Sequence, residues 1–326
     1  MRLSDKYRSK GFSLVELGVS LAIIGMIVSS AMSVAITNDF DVKKNETEAK
    51  LNRIEEALAG YVSLNHRLPC PANGATTIAN ATFGQEGVVG PSATPATCPN
   101  ANFTSGTWNN IGVVPVDTLQ LPDDFMFDGW GRRFTYVVDR KYANNEVTNT
   151  SCPDPSTGCF VMSDDPTINI NQSSGRNITT NAVYTLISHG ENGHGAFTKN
   201  GSATRLNGFP TGNPYRDPTA SADEINNSHL SNAGVEGTHD ADYIVREYVR
   251  VDNKAAADAA RIYFDDILRY KEKHVLVKDA GAIIFDPICV TSGDIVDSPG
   301  NNQCTGASGE DDCESFAVEI YKRCLK

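Results

Sequence analysis

The sequence predicts an α+β fold in which one long N-terminal helix packs on a small antiparallel β-sheet. Three observations support this fold class. An apolar stretch continues without a break into an amphipathic stretch, short runs rich in β-branched and aromatic residues follow it, one of them directly after a glycine-rich turn, and all 8 cysteines lie after the apolar stretch. The first predicts one continuous helix, the second predicts strands, and the third predicts loops held by disulfides.

The apolar stretch at 12–36 has the length of a membrane-spanning helix. Its only ionisable side chain is Glu16. As a helix it would extend roughly 38 Å, whereas the hydrocarbon core of a bilayer is about 30 Å thick. Residues 1–11 carry four basic residues and one acidic residue, and this bias predicts that they stay in the cytoplasm while the rest is exported. A carboxylate within lipid is costly, so we expect Glu16 to have a partner there.

Residues 37–66 are predicted to continue the same helix with a polar outer face. Apolar residues recur at helical spacing and form one stripe that should pack on a globular head; they are Leu51, Ile54, Leu58, Tyr61 and Val62. Pro69 and Pro71 cannot continue the helical hydrogen bonds, so the helix should end just before them.

The segment Gly11-Phe12-Ser13-Leu14-Val15-Glu16-Leu17, behind its basic leader, resembles the type IV prepilin signature that pilins and type II secretion pseudopilins share. The resemblance implies cleavage after Gly11 by a membrane peptidase and methylation of the new terminus at Phe12. It also implies that Glu16 pairs with the terminal amine of a neighbouring subunit and so directs assembly. The alternative is an N-terminal signal anchor in which the glutamate is incidental.

Strands are expected at three places in the head. Residues 128–138 combine a glycine-rich turn with an aromatic and β-branched run, and resemble the Asp-Pro-Trp-Gly turn of major pseudopilins with Gly129 in place of proline. Residues 183–188 and 243–251 also favour strands. Residues 255–273 favour a helix in their first half and are ambiguous in their second. The polar segments 72–110, 139–182 and 196–235 are expected to be long loops.

A calcium site is implied by the same resemblance. Residues 183–193 resemble a pseudopilin strand and its Ser-Leu-Gly-Ala-Asp-Gly loop, and 240–242 resemble a later Asp-Ala-Asp stretch. Matched by position, the candidate calcium ligands are Ser188, Asn192, Asp240 and Asp242, with Glu191 and Glu236 nearby. Asn192 stands where the family has aspartate, and a long insertion separates the two halves. The alternative is a solvated acidic loop without an ion.

The cysteines predict disulfides in an oxidising compartment, because their number is even and they lie in the exported region. Sequence alone leaves the pairing open. Proximity suggests short loops from Cys152 to Cys159 and from Cys304 to Cys313, and longer ones from Cys70 to Cys98 and from Cys289 to Cys324. Zinc is the alternative, but no Cys-x-x-Cys pair is present.

Catalytic chemistry is not indicated. The sequence contains no Gly-x-Ser-x-Gly elbow, phosphate loop or dinucleotide fingerprint. Glycines at 190, 193 and 195 argue against a helix that would align His189 with His194 as a metal pair. Asp265 and Asp266 are adjacent, so their side chains should diverge, and we expect them to be surface charges.

These observations divide the chain into a leader at 1–11, a transmembrane helix at 12–36, its amphipathic continuation at 37–66, a periplasmic pilin-like head at 67–285 and a cysteine-rich extension at 286–326. The net charge of −12 becomes −15 once the leader is removed, which disfavours nucleic acid as a partner.

The expected function is that of a non-enzymatic filament subunit of a type II secretion system or a type IV pilus. Its partners would be other pilin or pseudopilin subunits, the prepilin peptidase and the assembly platform of the bacterial inner membrane. The alternative is a membrane-anchored adhesin or sugar-binding head displayed on a pilus.

Overall fold

The computed structural model describes residues 14–65, 67–87, 98, 101–105, 109–143, 166–208, 220–249 and 262–280, with backbone alone at 27–38, 103–105 and 140. The predicted processing residues Gly11 and Phe12 lie outside this part of the chain. So do six of the eight cysteines, namely Cys152, Cys159, Cys289, Cys304, Cys313 and Cys324. The chain forms two compact units, residues 1–46 and residues 47–326.

Helix α1 runs from Leu14 to Asn65. Glu16 lies in its first turn. Each large apolar side chain from Leu14 to Met26 is at least 52% exposed. Among the residues that the structure describes, no helix is long and apolar enough to cross a membrane.

The second unit is a mixed α+β structure, which confirms the predicted fold class at that level. Its elements in chain order are β1 (Phe103–Ser105), β2 (Asn109–Val113), a 3₁₀ turn (Asp123–Met126), β3 (Thr135–Asp139), α2 (Arg140–Ala143), β4 (Ile168–Gln172), β5 (Asn177–Ser188), α3 (Ala222–Ser228), β6 (Asp242–Val245), β7 (Ile267–Glu272) and α4 (Lys273–Ala280).

The described strands form one sheet in the order β1-β2-β3-β5-β4-β6, and β7 also pairs with β5. All pairs are antiparallel except β4 with β6. The long strand β5 is central. Its C-terminal half lies between β3 and β7, while its N-terminal half pairs with β4.

The core follows the period-two alternation of the strands. One face of the sheet joins the α1 stripe, where Leu51, Ile54, Leu58 and Val62 are fully buried and Tyr61 is partly buried, as the helical spacing predicted. Alternate residues of the same strands form a smaller core on the opposite face; its members include Val137, Ile168, Ile170, Ile187 and Leu268.

Several sequence-based boundaries were wrong. The segment 139–182 contains β4 and part of β5 instead of a continuous loop, because Ile168 and Ile170 point inwards between partly exposed asparagines. The segment 196–235 contains α3. Of the described residues in the strand predicted at 243–251, only the first three lie in a strand, β6 (Asp242–Val245), and Ile267–Glu272 form a strand before α4.

The predicted bridge between Cys70 and Cys98 is confirmed, with a Cα–Cα separation of 5.4 Å. It ties the segment after α1 to a loop that precedes β1. Both cysteines lie in the main core, so the bridge holds this loop against the helix-facing side of the sheet.

Candidate metal centre

Three buried carboxyl groups meet at one end of the sheet. Asp265 and Asp266 directly precede β7, and Glu224 lies in the first turn of α3. One ligand atom from each of the three lies within 4.8 Å of the others, and in the described residues they are the one such group of acidic, cysteine or histidine side chains suited to a metal ion. We call Glu224, Asp265 and Asp266 the acidic cluster.

The end of β5 supplies the surroundings of the acidic cluster. Ser188 pairs with Ile267, so the turn that follows β5 lies beside the residues that precede β7. This turn begins with His189 and Gly190. The glycine has φ of +54°, and a Cβ at this position would lie 2.2 Å from the Asp265 carbonyl oxygen. Only glycine fits there, because both the backbone conformation and the close approach exclude a side chain.

Asn192 is the main cross-link within the site. Its backbone N–H donates to Asp265 Oδ2 at 2.8 Å, and its side-chain Nδ2 donates to Glu224 Oε1 at 3.0 Å. The backbone N–H of Asp265 donates to the same Glu224 oxygen at 3.2 Å. One asparagine therefore fixes two of the three carboxyl groups relative to each other.

Other donors hold the remaining oxygens of the cluster. Tyr263 OH donates to Asp265 Oδ2 at 2.8 Å, and Asn227 Nδ2 donates to Asp266 Oδ2 at 2.9 Å. Ser221 caps α3, and its backbone N–H donates to Glu224 Oε2 at 3.0 Å. These neutral donors orient the acids, but they bring no positive charge to the site.

Burial changes the protonation of this region. Burial, then the charges of Asp265 and Asp266, raises the pKa of Glu224 well above its usual range. Burial also raises the pKa of both aspartates, and for Asp265 the charge of Asp266 adds to it. Burial, followed by the charge of Arg205, lowers the pKa of His189 to about 3, so this imidazole is neutral near pH 7.

The residues predicted to bind calcium are divided between different partners. Asn192 belongs to the acidic cluster, and Ser188 Oγ donates to Asp128 Oδ2 at 2.7 Å. Asp240 instead contacts His229 Nε2 at 3.0 Å, and Asp242 accepts from Asn169 Nδ2 at 2.9 Å.

The two other acidic residues near the predicted calcium loop also have separate contacts. Glu236 pairs with Arg205, and the carbonyl of Glu191 accepts from Arg132. His194 Nε2 lies 2.6 Å from the Leu230 carbonyl, whereas His189 faces Asp266, so these two histidines have different surroundings.

The prediction that Asp265 and Asp266 are surface charges was wrong, because the exposed fraction is 0% for Asp265 and 3% for Asp266. The two side chains have different partners, as adjacent residues should, but both partners are within the protein. Tyr263 donates to Asp265, and Asn227 donates to Asp266. One sequence signal was available. Two acids stand between the aromatic pair Tyr263-Phe264 and the apolar start of β7, a setting more typical of buried than of solvated residues.

Comparisons with protein-family models, with curated proteins and with solved structures found no match for this chain.

Proposed function

We propose that the protein is a structural subunit of a type IV pilin-like filament, either a pseudopilin of a type II secretion system or a minor pilin. In this proposal the chain is processed after Gly11, methylated at Phe12 and held in the bacterial inner membrane through residues 12–36, with its head in the periplasm. Its partners are similar subunits, the prepilin peptidase and the assembly platform.

One observation carries the proposal: helix α1 has two parts with different requirements for burial. From Leu51 onwards its apolar stripe is covered by the sheet of its own chain. From Leu14 to Met26 its large apolar side chains are at least half exposed. A contiguous apolar surface of this kind requires lipid or other apolar helices. Lipid would cover this surface while the subunit is in the membrane, and the helices of other subunits would cover it in the core of a filament.

Glu16 gives this exposed part of the helix a directional contact. A carboxylate among apolar side chains is costly unless a cation lies next to it. Cleavage after Gly11 would create such a cation, the amine of Phe12. Because that amine is four residues before Glu16 on the same chain, pairing with a neighbour's amine would fix the axial offset between subunits.

The decisive experiment compares Glu16→Ala with Glu56→Ala in cells that assemble the filament. Both changes remove a glutamate from α1, but Glu56 is solvent-exposed and pairs with Arg53 within its own chain. Glu16→Ala should remain in the membrane fraction and be lost from sheared filaments, whereas Glu56→Ala should enter filaments at the wild-type level. Normal incorporation of Glu16→Ala would contradict the pairing mechanism.

The mass of the mature chain tests the processing step. The native N-terminus should be N-methylated Phe12, and Gly11→Ala should accumulate as the uncleaved precursor. Any other terminus would favour a signal anchor that displays a binding head. Binding of the purified protein to a glycan array, without filament incorporation, would support that alternative.

A further inference from the structure

Two oxygens of the acidic cluster and one nitrogen of the neighbouring His189 have no hydrogen-bond partner in the described part of the chain. In the part of the chain that the structure describes, no hydrogen bond reaches Asp265 Oδ1, Asp266 Oδ1 or His189 Nδ1. All three residues are buried. An unpaired buried acceptor costs about 1–3 kcal/mol, and an unpaired charge costs more. Buried polar atoms normally have hydrogen-bond partners, so three unpaired acceptors at one place point to a bound positive group.

His189 adds a buried ring nitrogen beside the acidic cluster. Its side chain is fully buried, and its Nδ1 faces Asp266 Oδ1 at 3.6 Å, too far for a hydrogen bond. Its other ring nitrogen, Nε2, lies 2.8 Å from Thr135 Oγ1. With the ring proton on Nε2, His189 donates to Thr135 and directs the Nδ1 lone pair at the carboxylate. Two electron-rich atoms then face each other, which is unfavourable unless a proton or a metal ion lies between them.

We propose that the acidic cluster and His189 Nδ1 bind one divalent transition-metal ion, with Zn²⁺ or Mn²⁺ as the best fit. Asp266 Oδ1 and His189 Nδ1, which lie 3.6 Å apart, are its principal ligands. The neighbouring carboxyl groups of Asp265 and Glu224 add negative charge beside Asp266. This is a different set of residues from the predicted calcium ligands, and it includes a nitrogen.

The geometry suits a small ion. Two ligands on a tetrahedral Zn²⁺, each about 2.0–2.1 Å from the metal, lie roughly 3.3 Å apart. The observed 3.6 Å between His189 Nδ1 and Asp266 Oδ1 is close to this value. Calcium prefers six to eight oxygen ligands at longer distances and does not favour imidazole. Here most carboxylate oxygens already accept hydrogen bonds from the protein.

The surrounding contacts resemble those that orient ligands in metal sites. A ligating histidine usually donates its second N–H to a fixed acceptor, and ligating carboxylates are usually hydrogen-bonded at their other oxygen. Thr135 would fill the first role for His189. Asn227 fills the second for Asp266.

The test uses the full-length protein purified in detergent and stripped with a chelator. One equivalent of Zn²⁺ or Mn²⁺ should bind per chain in calorimetry and in elemental analysis after dialysis. At about 100 times the dissociation constant, the ion should raise the melting temperature by about 5–10 °C. Co²⁺ should give a visible absorption spectrum, and His189→Gln should change that spectrum because a nitrogen ligand is lost.

Asp266→Asn and Asp240→Asn are matched variants, since each replaces one carboxylate oxygen by an amide. Asp266→Asn keeps an oxygen for Asn227 and puts an amide NH₂ at the unpaired position. It should reduce Zn²⁺ or Mn²⁺ affinity at least 10-fold, yet melt no lower than stripped wild type, which excludes misfolding as the cause. Asp240→Asn should bind the ion like wild type.

Three results would overturn the proposal. The first is stripped wild type that binds neither Zn²⁺ nor Mn²⁺, which would mean that protons neutralise the cluster. The second is binding of Ca²⁺ alone. The third is loss of binding in Asp240→Asn together with retention in Asp266→Asn, which would favour the set predicted from sequence.

Discussion

Two acidic sites in the head, one partly buried and one fully buried, are built in opposite ways. In the first, Glu86 faces Arg67 through two hydrogen bonds of 2.8 Å and also accepts from Tyr61 OH and the backbone N–H of Cys70. Each carboxylate oxygen of Glu86 therefore accepts one hydrogen bond from the Arg67 guanidinium and one from a neutral donor. In the second, the acidic cluster has neutral donors only, and two of its oxygens have none.

The comparison shows what decides the state of a buried carboxyl group. Burial acts on both sites in the same direction, because it disfavours the charged form. At Glu86 the hydrogen bonds and charge of Arg67 outweigh burial and lower the pKa. At the acidic cluster the neutral hydrogen-bond donors oppose burial only in part, and the pKa values rise. The first site is complete within its own chain, whereas the second requires protons or a metal ion.

Removal of the cation from the complete site should have the largest effect on stability. The side chains of Arg67 and Glu86 are only 16% and 14% exposed. Arg67→Met would leave the carboxylate buried without its partner, and the expected cost is about 3–5 kcal/mol in free energy of unfolding. Urea unfolding, followed by circular dichroism of the full-length protein, measures this cost.

The matched control for this variant is Arg53→Met. Arg53 also pairs with a glutamate, Glu56, but both side chains are more than half exposed. Such surface pairs contribute little, so we expect a change within about 0.5 kcal/mol. Equal effects of the two variants would show that burial does not distinguish the pairs, and the comparison between the two acidic sites would then fail.

The effect of Arg67→Met should also depend on pH. Burial alone would raise the pKa of Glu86, but Arg67, Tyr61 and the Cys70 N–H together lower it below its ordinary value of 4.5. The folded state therefore binds this proton less tightly than the unfolded state. Its contribution to stability is fully present above pH 4.5 and is lost as the pH falls through the folded-state pKa.

The difference in unfolding free energy between wild type and Arg67→Met should accordingly be largest near pH 7 and shrink at about pH 3.5. Urea titrations at these two pH values would measure it. Arg53→Met should show no comparable trend. A difference that stays constant across this range would assign the stabilisation to packing of the Arg67 stem instead of its charge.

The sequence allowed the helical part of the fold to be predicted better than the sites. The stripe from Leu51 to Val62 has a period that only a helix satisfies, and the prolines after Leu68 mark the helix end. The Cys70–Cys98 bridge followed from proximity along the chain. Strand β4 was missed because its polar residues outnumber its apolar ones, although Ile168 and Ile170 alternate.

The acidic cluster was missed because its members are distant along the chain. Asn192, Glu224 and Asp265 meet only because β5 and β7 pair and α3 packs near the same end of the sheet. Asp240 and Asp242 match the Asp-Ala-Asp stretch of the family that the chain resembles, but at the start of β6 they contact His229 and Asn169. Spacing along the chain does not report which strand end faces which loop.

The smallest predicted effect tests how firmly the acidic cluster is held. Ser221 caps α3 in a reciprocal arrangement with Glu224, in which each side chain accepts from the other's backbone N–H. Ser221→Ala removes one of these bonds and should lower the free energy of unfolding by about 1 kcal/mol, while Ser221→Thr should retain most of it. Because Asn192 and the Asp265 N–H also hold Glu224, the carboxylate should stay in place. The Zn²⁺ affinity of Ser221→Ala should therefore stay within a few-fold of the wild-type affinity. A loss of affinity as large as that of Asp266→Asn would show that the cap, rather than Asn192, positions Glu224.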